Sequence, residues 1–241
     1  MIKNLIDWFF KTPTAFIAVL SLLVALFTYR YQRNWNRRLR SQEITDWYAR
    51  IVLPKFRYIN YILNEVGCLE TTKKFSKIED FDTKELKDNF SQTSSNADEY
   101  KEKLNKITLD ILNKAFLESG CNEYIYKTHK MLIKGIDERN GCLECSIFNK
   151  YVIDLLNELE GKALQLNYCV YDEKILYPIL HQTYVKNIEH LYFFISSENI
   201  QDYDQFYIYT IWLYNLWKKR VSSERRRLKR NVAKKSRISK M

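Results

Sequence analysis

The sequence predicts an all-α protein: one N-terminal transmembrane helix followed by a cytosolic bundle of five or six helices. Three observations carry that expectation. The 241 residues include only five glycines and three prolines, too few turn formers for a many-stranded sheet. Residues 14–29 (TAFIAVLSLLVALFTY) carry no charge, and Arg30, Arg33, Arg37, Arg38 and Arg40 follow with no acid before Glu43. From there on, apolar residues recur at spacings of three and four over most of the chain.

The elements follow in order. Residues 1–12 read as an interfacial segment and 13–33 as the transmembrane helix, with Thr12-Pro13 a favourable helix start. Sixteen uncharged residues reach about 24 Å, short of the ~30 Å hydrocarbon core, so aromatic and snorkelling neighbours must supply the remainder. Trp8, Phe9 and Phe10 before the run, and Tyr29, Arg30, Tyr31, Arg33, Arg37 and Arg38 after it, are the expected interface residues. Lys3 and Lys11 stand against five arginines on the other side, so the positive-inside rule puts the N-terminus outside and the body in the cytoplasm of a single-pass plasma-membrane protein. A cleaved signal peptide fits less well, because no A-x-A-like site follows the apolar run. A buried core helix is the other competing reading for a run of this length.

Residues 34–66 predict a juxtamembrane helix that Pro54 should kink or break, with Gly67 closing it. Residues 67–96 form a polar linker ending in SQTSSN. The bundle, 97–217, is expected as helices over 97–119, 122–140, 146–167 with Ser146 as cap, 173–196 with Asp172 as cap, and a last one from Tyr203-Asp204 to about 230. Residues 218–241 form a basic tail.

Charge is uneven. Residues 1–40 carry +6, residues 41–217 carry −7 and residues 218–241 carry +11, which accounts for the overall +10. The tail holds Lys218, Lys219, Arg220, Arg225, Arg226, Arg227, Lys229, Arg230, Lys234 and Lys235. Anionic lipid headgroups attract such a segment, as do nucleic-acid phosphates. A tethered body meets lipid first, which makes lipid the first expectation and nucleic acid the second.

No catalytic pattern emerges. The single C-x-x-C, Cys142 to Cys145, has no second pair for a structural zinc, and His129, His181 and His190 are far apart. No phosphate-cradling glycine loop or G-x-S-x-G is present. Glu160 lies at the margin of its helix's apolar stripe, which suits a solvated flank or a neighbouring helix better than acid–base work. Five scattered cysteines in a reducing compartment predict free thiols. No enzyme, cofactor, metal or small-molecule substrate is expected.

Residues 148–217 carry a pattern in which LNELEGKA at 156–163 is followed by Asn167-Tyr168, Tyr171-Asp172-Glu173 and Leu213-x-x-x-Trp217. This resembles the small bacterial membrane-anchored helical proteins grouped as a domain of unknown function numbered 4760. The resemblance implies an N-terminal span, a helical body and a place among accessory and anti-phage genes, with no activity to carry over. The leading expectation is a membrane-anchored scaffold or sensor that recruits a protein partner, or a second copy of itself. The alternatives are a defence effector acting through oligomerised anchors and a membrane-tethered nucleic-acid binder.

Overall fold

The computed structural model describes residues 13–70, 94–120, 126, 130, 143–199 and 206–238. Every regular element among them is helical. In chain order these are α1 (Pro13–Trp47), a π turn (Tyr48–Val52), α2 (Leu53–Glu65), α3 (Ser94–Leu104), α4 (Leu109–Glu118), α5 (Leu143–Asn167), α6 (Glu173–His190), α7 (Tyr192–Glu198) and α8 (Ile208–Ile238).

The expected separate span and juxtamembrane helix form one rod, because α1 continues without a break through the arginines to Trp47. Pro54 does not break the chain either. It stands in the first turn of α2, directly after the π turn. The π turn ahead of it bonds Leu53 N–H to Tyr48 O, five residues back, and the widened turn makes room for the proline ring. Gly67, at φ 77°, takes the left-handed position after α2.

Further along, the helix expected over 97–119 is split at 105–108. Thr108 is extended (φ −119°, ψ 161°), and its hydroxyl accepts from Ile111 N–H, so it starts α4 instead of continuing α3. The helix expected over 122–140 lies outside the described residues apart from Tyr126 and Lys130, both helical. Ser146 lies inside α5, which is already helical three residues upstream. Asp172 does cap α6, its carboxylate accepting from Lys174 N–H at 3.1 Å. That helix ends at His190, and the chain turns at Leu191 so that α7 can bury Tyr192, Phe193 and Phe194. Phe193 stacks on Tyr100, and Phe194 meets Phe148 edge to face. The last helix starts at Ile208 and runs 31 residues, well into the expected tail. Cys68 and Cys169 are free thiols; the side chains of Cys121, Cys142 and Cys145 fall outside the described set.

Two packing directions organise the body. α1, the π turn and α2 run alongside α6: Ser41 meets Asp172 near one end, and Asn60 meets Asn187 and His190 at the other. α8 packs on α5 and crosses α6. Lys218 and Arg220, two residues apart on α8, hold Glu189 and Glu173, sixteen apart on α6. Sixteen helical residues span about 24 Å, a gap that long side chains can bridge in opposite directions only where the helices cross steeply. Trp217 sits at that crossing, 1 % exposed, edge to face with Tyr177 and Tyr184.

Candidate membrane and polyanion interface

The outer part of α1 stands clear of the body. Phe16, Ile17, Leu20, Leu22, Leu23, Val24, Leu26 and Phe27 are all between 46 % and 70 % exposed. At 100° per residue they cover about 220° of the helix, and the small residues Ala18, Ser21, Ala25 and Thr28, also exposed, fill the remaining 140°. An uncharged, largely apolar helix is normally buried in a core or in lipid, and among the described residues this one is not in the core. Thr28 donates its hydroxyl to Val24 O at 2.8 Å, which satisfies it inside the helix without water. Even so, among the described residues no helix is long and apolar enough to cross a membrane, so the expected transmembrane helix over 13–33 is not supported.

The arginines that follow divide into two sets. Arg30, Arg33, Arg38 and Arg40 are exposed, as are Tyr29 and Tyr31. Arg37 is half-buried and donates to Tyr171 O at 3.1 Å, so it holds the body and not a headgroup. Ser41, fully buried, donates to Arg37 O and accepts from Asp172 N–H at 2.7 Å. Together they fix α1 to the turn that precedes α6. Trp8, Phe9 and Phe10 lie outside the described residues.

That turn is built by the end of α5. Val170 N–H bonds to Gln165 O and Cys169 N–H to Leu166 O, the paired pattern of a Schellman cap, with Cys169 at φ 57°. Tyr171 then hydrogen-bonds Gln165 through its hydroxyl. The next residue but one, Glu173, receives the other end of the molecule. It accepts from Trp217 Nε1 at 3.2 Å and from Arg220 at 3.0 and 3.1 Å.

The tail residues therefore also divide. Arg220 is neutralised by Glu173 and Glu224, and its guanidinium lies 3.6 Å over the Tyr177 ring. Burial, and then the hydrogen bond donated to Glu224, push the Tyr177 phenol up to about 12. Lys218 pairs with Glu189 at 3.3 Å and lies over its own helix's Tyr214. Arg226, Arg227, Lys229 and Arg230 are exposed along α8, Arg225 is exposed on the wall of a groove toward α6, and Lys219 is also on the surface. Lys234 and Lys235 lie on the last helical turns.

Sequence reasoning did not find the acids that receive these cations. Only the Arg220–Glu224 pair is visible as an i, i+4 spacing. Glu160 takes the neighbouring-helix alternative that its place at the stripe margin left open. Its two carboxylate oxygens accept from Tyr209 N–H at 3.0 Å and Thr210 N–H at 2.8 Å, capping α8 from a neighbouring helix. Among the described residues no group of three or more histidines, cysteines or acids could hold a metal. An open groove of about 630 Å³ separates α6 from the basic part of α8, with Val185, Val221 and Leu228 on its walls.

No family model, curated protein or solved structure matches the chain, so the resemblance seen at Phe148–Trp217 transfers nothing to these residues.

Proposed function

We propose that the protein is a membrane-anchored helical scaffold, in which α1 enters a bilayer and the rigidly attached body presents a recruiting surface at the cytoplasmic face. The observation that carries this reading is the apolar helix exposed on every side. A second copy would cover one stripe of such a helix, whereas lipid covers its whole circumference. The sixteen uncharged residues fall several ångströms short of a typical core. Local thinning of the bilayer, together with Tyr29, Arg30, Tyr31 and Arg33 reaching to the interface, supplies the difference. The four exposed arginines on the body side support a cytoplasmic body. The recruited partner would be a soluble molecule meeting the body above the membrane.

Vesicle flotation tests the anchor. The full chain should float with phosphatidylcholine vesicles, and the variant L22S/L23S/L26S/F27S should stay at the bottom of the gradient with an unchanged circular dichroism spectrum. These four side chains are exposed and lie outside the hydrophobic core, so loss of the fold is not the expected cause of sedimentation. If the wild type instead stays soluble as a dimer or larger assembly, the bilayer reading is wrong and α1 is a self-association helix.

A further inference from the structure

We infer that the exposed basic stretch of α8, Arg225–Arg230, binds the phosphate backbone of a nucleic-acid duplex and is carried clear of the bilayer. The second half of this statement rests on α1 entering the membrane, as proposed above.

Position comes first. From Tyr29 to Ser41, α1 is a continuous helix of twelve residues, a stalk of about 18 Å. Ser41 is level with Asp172, because it accepts that residue's N–H. α8 crosses α6 between Glu173 and Glu189, which adds about 13 Å to the midpoint. α8 thus lies about 30 Å beyond the hydrocarbon edge, and roughly across the anchor axis instead of along it. The headgroup layer occupies about 5–8 Å of that gap. The remainder is more than two screening lengths at physiological salt, where the Debye length is about 8 Å. A tilt of about 20° brings Arg230 only about 7 Å nearer and the helix end at Ile238 about 10 Å nearer. Lipid attraction at the tail is therefore weak, which reverses the sequence-based order of lipid before nucleic acid.

The charge pattern then selects the polyanion. Five of the six residues from Arg225 to Arg230 are cationic and exposed, within about 9 Å of helix. A duplex carries one negative charge per ~1.7 Å of axis, hence about five over the same length. Four of the five are arginines, whose planar forks match phosphate oxygens in pairs. At 100° per residue the five cover about 200° of the circumference. A groove about 12 Å wide admits a helix and offers phosphates on both flanks, while a flat bilayer meets one side only. Lys218 and Arg220, occupied by Glu189 and Glu173, set the helix direction and take no part in binding.

The test uses the full chain in phosphatidylcholine nanodiscs, titrated with a fluorescent DNA duplex of about 20 base pairs and read by anisotropy over a salt series. Wild type should bind with a log–log salt slope of about −4 to −5, as expected for five phosphate contacts. R225Q/R226Q/R227Q/K229Q/R230Q keeps good helix formers, and its circular dichroism should be unchanged. It should bind at least about 30-fold more weakly, with a slope near zero. Equal binding by wild type and variant overturns the proposal. So does displacement of the duplex by polyglutamate at equal charge concentration, which would mark an acidic protein as the partner. If duplex binding is absent and the variant loses affinity for phosphatidylserine vesicles, the tail is a lipid contact after all. Failure of wild type to float with vesicles would remove the bilayer geometry alone, since duplex affinity is then measured directly on the soluble protein.

Discussion

Glu160 stands on α5 yet completes the first turn of α8, because the first N–H groups of a helix have no intrahelical acceptor. Tyr207, just before that turn, is held at φ 60°, and Thr210 is fully buried, so water cannot replace the carboxylate at both amides. Glu160→Ala should cost about 1.5–3 kcal/mol, and Glu160→Gln about half as much, since an amide keeps one neutral acceptor. Urea denaturation midpoints measure this directly; equal midpoints for wild type and Glu160→Ala would remove the capping role. Tyr48 reports on the same core differently. Burial pushes its phenol up to about 12, from an ordinary value of 10. The folded form then keeps a proton that the unfolded chain gives up, so this contribution is intact below pH 10 and is lost between about pH 10 and 12. A two-unit shift corresponds to about 2–3 kcal/mol for Tyr48 alone. Stability followed by circular dichroism should fall over that interval, and Tyr48→Phe should flatten the fall.

At the scale of elements, helix ends decide more than helix interiors. The Schellman cap of α5 places Cys169, a residue with a Cβ, at a left-handed position usually taken by glycine. Its side chain is exposed, so Cys169→Gly loses little packing and should raise stability by up to about 1 kcal/mol. A lower melting temperature in that variant would show that the thiol contributes more than its exposure indicates. The Thr108 cap and the Leu191 turn divide helices that periodicity alone reads as continuous. In both places an apolar stripe persists across the break, and only a local competitor interrupts the backbone: a capping hydroxyl in one case, a run of aromatics turning into the core in the other. The Pro54 region shows the opposite case. A residue that ordinarily stops a helix is accommodated because one π turn absorbs it.

For the molecule as a whole, the short connection from Val170 to Glu173 holds both ends of the chain's charge. Arg37 and Ser41 fasten α1 to one side of it, and Trp217 and Arg220 fasten the basic helix to the other. α1 and the basic helix are therefore joined through the same connection, and the angle between α8 and α6 follows from which acids on α6 receive Lys218 and Arg220. That arrangement underlies both the flotation and the duplex experiments, since a flexible tail would reach lipid and duplex alike. The all-helical class was legible in the sequence because periodicity, scarce glycine and scarce proline are local properties that each residue carries with it. The apolar run and its arginines were legible for the same reason, as a density of like residues in one short segment. Glu173 and Glu189 were not legible as partners, and Glu160 only as far as an unnamed neighbouring helix, because an ion pair or a cap between helices depends on distances across the fold that no spacing encodes. Arg37 and Arg220 look like their neighbours in the sequence and were grouped with them; burial beside Tyr171 and stacking on Tyr177 separate them. The sequence alone determined what the protein is made of and where its charge is concentrated, while the packing of α8 across α6 decided which of those charges face outward and in what direction.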